Sequence, residues 1–283
     1  MRLLRARTIF LAPLVLFAFL YLGLLVSSLL DDRVIARLEG SPSRHHTVAI
    51  FGASGTAGDG ILKAALADPD VSRIYVFTRR STPRIDAGVA SGKVEMTLHR
   101  DYLDYSALHA QMASADAVYW AIGTSSVNVD EETYGRIHVD FPVRFVREWL
   151  GVSDNPDISF HYISSSDISE DSRMMWAREK VRAENTLFGV AEGSNLRVIA
   201  YRPDYIGPTR EEAHLGQDLL YWFFAPVGAA VGATQIGQAM LEVTARGPEF
   251  RNGDRLATRR IIRYSDAYER RQASVSAASF APD

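Results

Sequence analysis

Three glycines spaced three apart, Gly52, Gly55 and Gly58, with Ser54 and Thr56 between them, make up the stretch of this chain best suited to holding a ligand. Without side chains at such positions the backbone can run close to a pyrophosphate, and the amides that open a following helix receive its charge. After the next apolar run stand Arg79 and Arg80. A ribose with a free 2′-hydroxyl calls for an acid at that place, whereas a cationic pair suits a 2′-phosphate. The chemistry expected of these residues is the binding of NADP in preference to NAD.

The elements that must position them are legible from the pattern around them. The apolar run 48–51 precedes the glycines, an amphipathic stretch from Ile61 to Leu66 follows, and a second apolar run covers 74–77. That order reads as strand, turn, helix, strand. Further strands are expected over 94–98, 116–122, 158–163 and 196–201, with helices over 105–113, 134–150 and 174–188. Pro142 lies inside the second of these helices and predicts a kink or break there. Strands alternating with helices imply an α/β fold, a doubly wound parallel sheet of Rossmann type. Ligands of such sheets bind beyond the carboxyl ends of the strands, so Asp101, Ala121 and Gly123 join the expected cofactor contacts, Asp101 as an acceptor for the adenine amino group.

Composition removes several function classes. The chain of 283 residues has a formal net charge of −3 with scattered basic residues, which leaves no nucleic-acid footprint. It has no cysteine, hence no disulfide, thiolate metal site or cysteine nucleophile. Its seven histidines show no paired-ligand spacing, and no metal site is expected.

Residues 8–30 carry no charge and follow Arg2, Arg5 and Arg7. A run of that length matches the roughly 30 Å apolar core of a bilayer, so residues 1–30 are expected to be a single-pass membrane anchor, with the lipid bilayer as a partner. Three arginines and no acid before the run also fit a mitochondrial address, although the run is long for an amphipathic transit peptide, so the mitochondrial and endoplasmic reticulum membranes both stay open. Residues 31–45 read as a linker, 46–268 as the folded domain and 269–283 as a disordered tail. Residues 219–241 also lack charge, but Pro226 and the glycines make a second span a poor reading. A buried or substrate-covering helix fits better, with a helix on the membrane surface as the alternative.

In order and spacing, GASGTAG, Arg79–Arg80, AIGT at 121–124, HVD at 138–140, ISSS at 163–166, KVRAE at 180–184 and YRPDYIGP at 201–208 resemble the short-chain dehydrogenase/reductase superfamily. In detail they are most similar to its atypical branch around the Tat-interacting protein, which includes membrane-associated fungal mitochondrial members. The resemblance spans about residues 46 to 268. It implies a serine after the fifth strand, here Ser165 or Ser166, a lysine that holds the nicotinamide ribose, here Lys180, and cofactor contacts from Arg202 and Pro203. Substrate contacts are expected from the segment after the sixth strand, from Tyr205, Tyr221 and Trp222.

The same resemblance calls for a tyrosine four residues before the lysine, and this chain has Trp176 there. An indole donates a hydrogen bond but transfers no proton near neutral pH. Three readings follow. Another group supplies the proton, Tyr205, Asp167, or the substrate and water themselves; the domain binds NADP(H) without turning it over, as a regulator or scaffold; or Trp176 shapes a pocket for a reaction that needs no external acid. The preferred function is an NADP-dependent reductase of a carbonyl in a small lipophilic substrate, with the non-catalytic binder as the alternative.

Overall fold

The computed structural model describes residues 2–31, 33–38, 46–209, 211 and 215–279, with side chains from residue 13 to residue 275. Most of the expected linker, 32 and 39–45, and the last four tail residues lie outside the described residues. In chain order the elements are α1 (Arg2–Leu29), β1 (His46–Phe51), α2 (Thr56–Ala67), β2 (Val71–Thr78), α3 (Pro83–Ala90), β3 (Val94–Leu98), α4 (His109–Ser114), β4 (Ala117–Trp120) and α5 (Glu131–Gly135). There follow α6 (Phe141–Val152), β5 (Ile158–Ile163), α7 (Met175–Ala191), β6 (Leu196–Arg202), β7 (Tyr205–Gly207), α8 (Leu215–Phe224), β8 (Ala230–Gly232), α9 (Ala233–Arg246), β9 (Asp254–Ala257) and α10 (Thr258–Ser279).

Seven strands form one parallel sheet in the order β3-β2-β1-β4-β5-β6-β9. The order reverses between β1 and β4, as in dinucleotide-binding sheets, and a crevice opens where the two neighbouring connections leave in opposite directions. Strand side chains alternate between two buried layers. Val48, Ile50, Ile74 and Val76 pack toward α2, α9 and α10. Phe51, Phe77, Trp120 and Phe160 meet Phe145 and Trp149 of α6 on the other face.

Four expectations are adjusted. The helix expected over 134–150 is broken into α5 and α6 by a π-helical turn over Arg136–Asp140, and Pro142 sits in the first turn of α6, where its missing N–H is harmless. A seventh strand, β9, joins the six expected ones; its run Asp254–Ala257 buries only Leu256 fully, too little to stand out as an apolar strand. The expected tail beyond residue 268 continues α10 to Ser279, because Arg271 is buried there and bonds Glu242 of α9.

The fourth adjustment is a correction. No helix among the described residues is long and apolar enough to cross a membrane, which overturns the single-pass anchor over residues 1–30 and the organelle membrane placement drawn from it. Pro13 lies within α1, and the helix continues from it to Leu29. That part lies against α8: the Tyr21 hydroxyl donates to the Phe223 carbonyl at 2.9 Å, and Phe17 stacks on the Phe223 ring.

Helix α2 is pressed against α9 by two glycines. A Cβ at Gly60 would lie 2.2 Å from the Ala233 carbonyl carbon, and one at Gly237 would lie 2.7 Å from the Ile61 Cα. Gly237→Ala should therefore lower stability by about 1–3 kcal/mol through overpacking. Gly189→Ala, on α7 with nothing within 4 Å of the new methyl, should be neutral or stabilising by up to about 1 kcal/mol. Urea denaturation of the two variants checks the contrast, and equal midpoints would show that the α2–α9 approach does not matter.

Candidate cofactor and active site

The glycine turn starts where β1 ends. Gly52 has φ +81°, and a Cβ there would meet the Ala121 carbonyl at 2.6 Å and the Ile122 amide at 2.8 Å. Only glycine tolerates both the left-handed backbone and that contact. A Cβ on Gly58 would fall 2.0 Å from the Gly52 carbonyl oxygen, so the first turn of α2 folds back onto the turn that precedes it. Gly55 differs, because a Cβ there would meet only the Gly52 oxygen, at 3.5 Å. Its bareness instead leaves room in the cleft it lines. Gly55 caps α2 with no side-chain hydrogen bond, which leaves first-turn amides available to an anion.

Two cavities of about 550 Å³ each open at this end of the sheet. Both are bordered by Gly55, Ala121, Ile122, Gly123 and Thr124, so they form one groove across the ends of β1 and β4. One end holds Gly52, Ser54, Thr78, Arg79, Arg80, Arg100 and Arg136. The Thr78 hydroxyl donates to the Arg80 carbonyl at 2.8 Å and the Arg80 guanidinium to the Ser54 carbonyl at 3.3 Å, which ties the basic turn to the glycine loop. Among the described residues Arg79, Arg80 and Arg100 form no ion pair with a carboxylate, so their charge is available to a ligand.

The other end holds Thr56, Tyr134, His138, Ser164, Ser165, Trp176, Lys180 and Ile206. Lys180 is buried, and its ammonium donates to the Ile163 carbonyl at 2.8 Å and to the Tyr162 hydroxyl at 3.3 Å. The Tyr162 hydroxyl in turn donates to the His138 carbonyl at 3.0 Å. Burial lowers the Lys180 pKa to about 7, opposed by the Glu184 carboxylate one turn along α7. His138 accepts from the Thr124 amide through Nε2 at 3.1 Å, and its Nδ1 is buried without a partner. Burial, with Lys180 nearby, holds its pKa down at about 3, so the ring is neutral.

Several expected site residues take other posts. Arg202 forms a two-pronged ion pair with Glu184, at 2.8 and 2.6 Å, and Arg255 adds a third bond at 2.9 Å, so Arg202 faces that carboxylate away from the groove. Pro203 accepts from the Ser166 amide at 3.2 Å, and neither residue lines the groove. Asp101 accepts from the Leu103 amide at 3.0 Å and closes its own turn. The Tyr221 ring fills the space above Gly207, Trp222 is 72% exposed, and the Tyr205 hydroxyl reaches toward the Gln217 carbonyl, so none of the three lines the groove. Arg100, Arg136, Tyr134 and Ser164 are on its wall and were absent from the sequence expectations. Their signal was weak: Arg100, Tyr134 and Arg136 lie in a connection or short helix, and Ser164 stands just before the two serines that the resemblance implies.

No family model matches the chain, and no curated protein matches it. Solved structures that it resembles are short-chain dehydrogenase/reductases, and the likeness shows the fold. One is an oxidoreductase of that family from Burkholderia thailandensis, 16% identical with a TM-score of 0.61 over 76% of this chain and 92% of that one. A 3-oxoacyl-[acyl-carrier protein] reductase from Brucella melitensis is 18% identical, TM-score 0.58, over 78% and 98%. BdcA in complex with NADPH is 16% identical, TM-score 0.58, over 77% and 94%.

The buried histidines set an acid limit on this arrangement. His161 in β5, bonded to Tyr201, Ser159 and Thr244, is also held neutral with a pKa near 3 by burial. Free histidine titrates near 6.5. Between pH 6.5 and 3 the unfolded chain binds protons that the folded chain refuses, so stability is complete above 6.5 and falls as pH drops. His138→Gln with His161→Gln should reduce the slope of unfolding free energy against pH by up to one proton per residue. Denaturant midpoints measured from pH 7 to 4 check this, and an unchanged slope would contradict neutral histidines.

Proposed function

We propose that this chain binds NADP(H) along the groove and reduces a carbonyl group of a small lipophilic substrate. The observation that carries the reading is the single groove running from three unpaired arginines, past a glycine cradle that any Cβ would fill, to a buried lysine beside serine hydroxyls. Arg79, Arg80 and Arg100 would hold the 2′-phosphate, the Gly52–Gly58 loop and the open amides of α2 the pyrophosphate, and Lys180 the nicotinamide ribose. The bound dinucleotide would supply hydride. Ser165, with Ser164 beside it, donates a hydrogen bond to the substrate oxygen and fixes its orientation. Trp176, Ile163 and Ile206 give that end an apolar wall, which favours a lipophilic substrate. The NADPH in complex with BdcA and the 3-oxoacyl-[acyl-carrier protein] reductase among the similar structures support the reading, and the motif order supports the atypical branch around the Tat-interacting protein. Trp176, which supplies no phenol, favours one rival, an NADP(H)-binding regulator without turnover.

Cofactor choice is the most direct test. Fluorescence titration of the full chain should show Arg79→Ala/Arg80→Ala binding NADPH at least about tenfold more weakly, a loss of some 1.4 kcal/mol, with NADH affinity changed much less. Equal losses for both nucleotides would remove the arginines from the 2′-phosphate role. No binding of either nucleotide to the native chain would end the reading altogether.

A further inference from the structure

We propose that Tyr134 is the proton donor of the carbonyl reduction inferred above, supplying from a different element the phenol that Trp176 lacks; this assignment rests on that reading. Among the side chains around the lysine end of the groove there is no carboxylate. Asp167 is not on its wall, and neither is Tyr205. Tyr162 is fully buried and its hydroxyl is already committed to His138 and Lys180. Tyr134 is therefore the one phenol on this wall among the described residues.

Local structure explains why it points there. Asp130 caps α5 by accepting from the Thr133 amide at 2.7 Å, which starts the helix at Glu131. Tyr134 and His138 are four residues apart on one helical face, and the π turn between them still lets their rings stack, with centroids 4.1 Å apart. The Thr124 amide fixes the His138 ring, so the Tyr134 ring is buried against a fixed partner at 4% exposure. Its hydroxyl has no hydrogen-bond partner among the described residues, and Tyr134 lines the groove. Burial and the Glu179 charge push its pKa up to about 12, so the group is fully protonated at neutral pH, as a donor must be.

In the step, the carbonyl carbon would take a hydride, a hydrogen with its bonding electron pair, from the reduced nicotinamide of a bound dinucleotide, which would be oxidised. The carbon–oxygen π pair closes onto oxygen, and that oxygen takes the proton from the Tyr134 hydroxyl. The alcohol leaves, and the phenolate is reprotonated by water entering the groove. Serine hydroxyls are weaker acids than a phenol and serve as hydrogen-bond donors to the same oxygen.

The test measures binding and turnover separately on the full chain. NADPH affinity is read by fluorescence titration, and NADPH loss is read by absorbance with benzaldehyde, 4-nitrobenzaldehyde, cyclohexanone and long-chain aldehydes. Tyr134→Phe keeps the ring stack, so its thermal midpoint and NADPH affinity should stay near the native values, while turnover should fall by roughly 10²–10⁴-fold. Adding Trp176→Tyr to that variant should recover at least tenfold of the loss. Turnover by Tyr134→Phe within threefold of native would overturn the assignment and leave the reductase reading standing. Native protein that binds NADPH but consumes none with any of these carbonyls would overturn the reductase reading, and the assignment with it.

Discussion

The fold and the groove both depend on one steric constraint, the packing of the Gly52 carbonyl into the space where Gly58 would carry a side chain. Because Gly52 also sits against Ala121 and Ile122, the end of β1 is held between the end of β4 and the start of α2. Neither approach survives a Cβ, since the gaps of 2.0 to 2.8 Å are below any carbon contact. The sheet order reverses between those two strands, so the tightest backbone packing coincides with the crevice. The first-turn amides of α2 open onto the groove because the loop has no side chains to fill the gap first.

That constraint is held from behind. Gly60 and Gly237 bring α2 onto α9, and α9 is clamped to α10 by Glu242, which bonds Arg246 at 2.9 Å and Arg271 at 2.8 Å. Arg271 also reaches Asp70, at the loop before β2. A carboxylate with no exposure is tolerated because two guanidiniums satisfy it; unpairing it would leave a buried charge. The basic turn at the end of β2 and the glycine loop after β1 thus share one rigid support, which suits recognition of two phosphates a fixed distance apart.

How much of this was legible in the sequence varies with the kind of interaction. Runs such as 48–51 and 158–163 read as strands because parallel strands are buried on both faces and need continuous apolar character. The glycine loop was legible because sterics there leave one residue type. Arg202 misled, since a guanidinium at a strand end suits a phosphate and a carboxylate equally, and Glu184 lies eighteen residues away in sequence. Apolar run length misled at α1, whose Tyr21 and Phe17 meet Phe223 of α8. Tyr134 was invisible because a tyrosine in a short polar helix carries no periodic signal; only the stacking on His138 gives it a direction.

The lysine end shows how distant charges tune a near one. Lys180 and Glu184 lie one turn apart on α7, and such a pair ordinarily keeps an ammonium strongly basic. Here Arg202 and Arg255 already neutralise Glu184, whose pKa they hold down. Little of the carboxylate's field remains for Lys180, and burial outweighs it, which is why the lysine sits near pH 7 and not above 10. The Ile163 carbonyl and the Tyr162 hydroxyl then serve as neutral acceptors that hold the amine in place in either protonation state. Arg202, expected at the cofactor, instead pairs with Glu184 and so bears on how much positive charge Lys180 carries at this end of the groove.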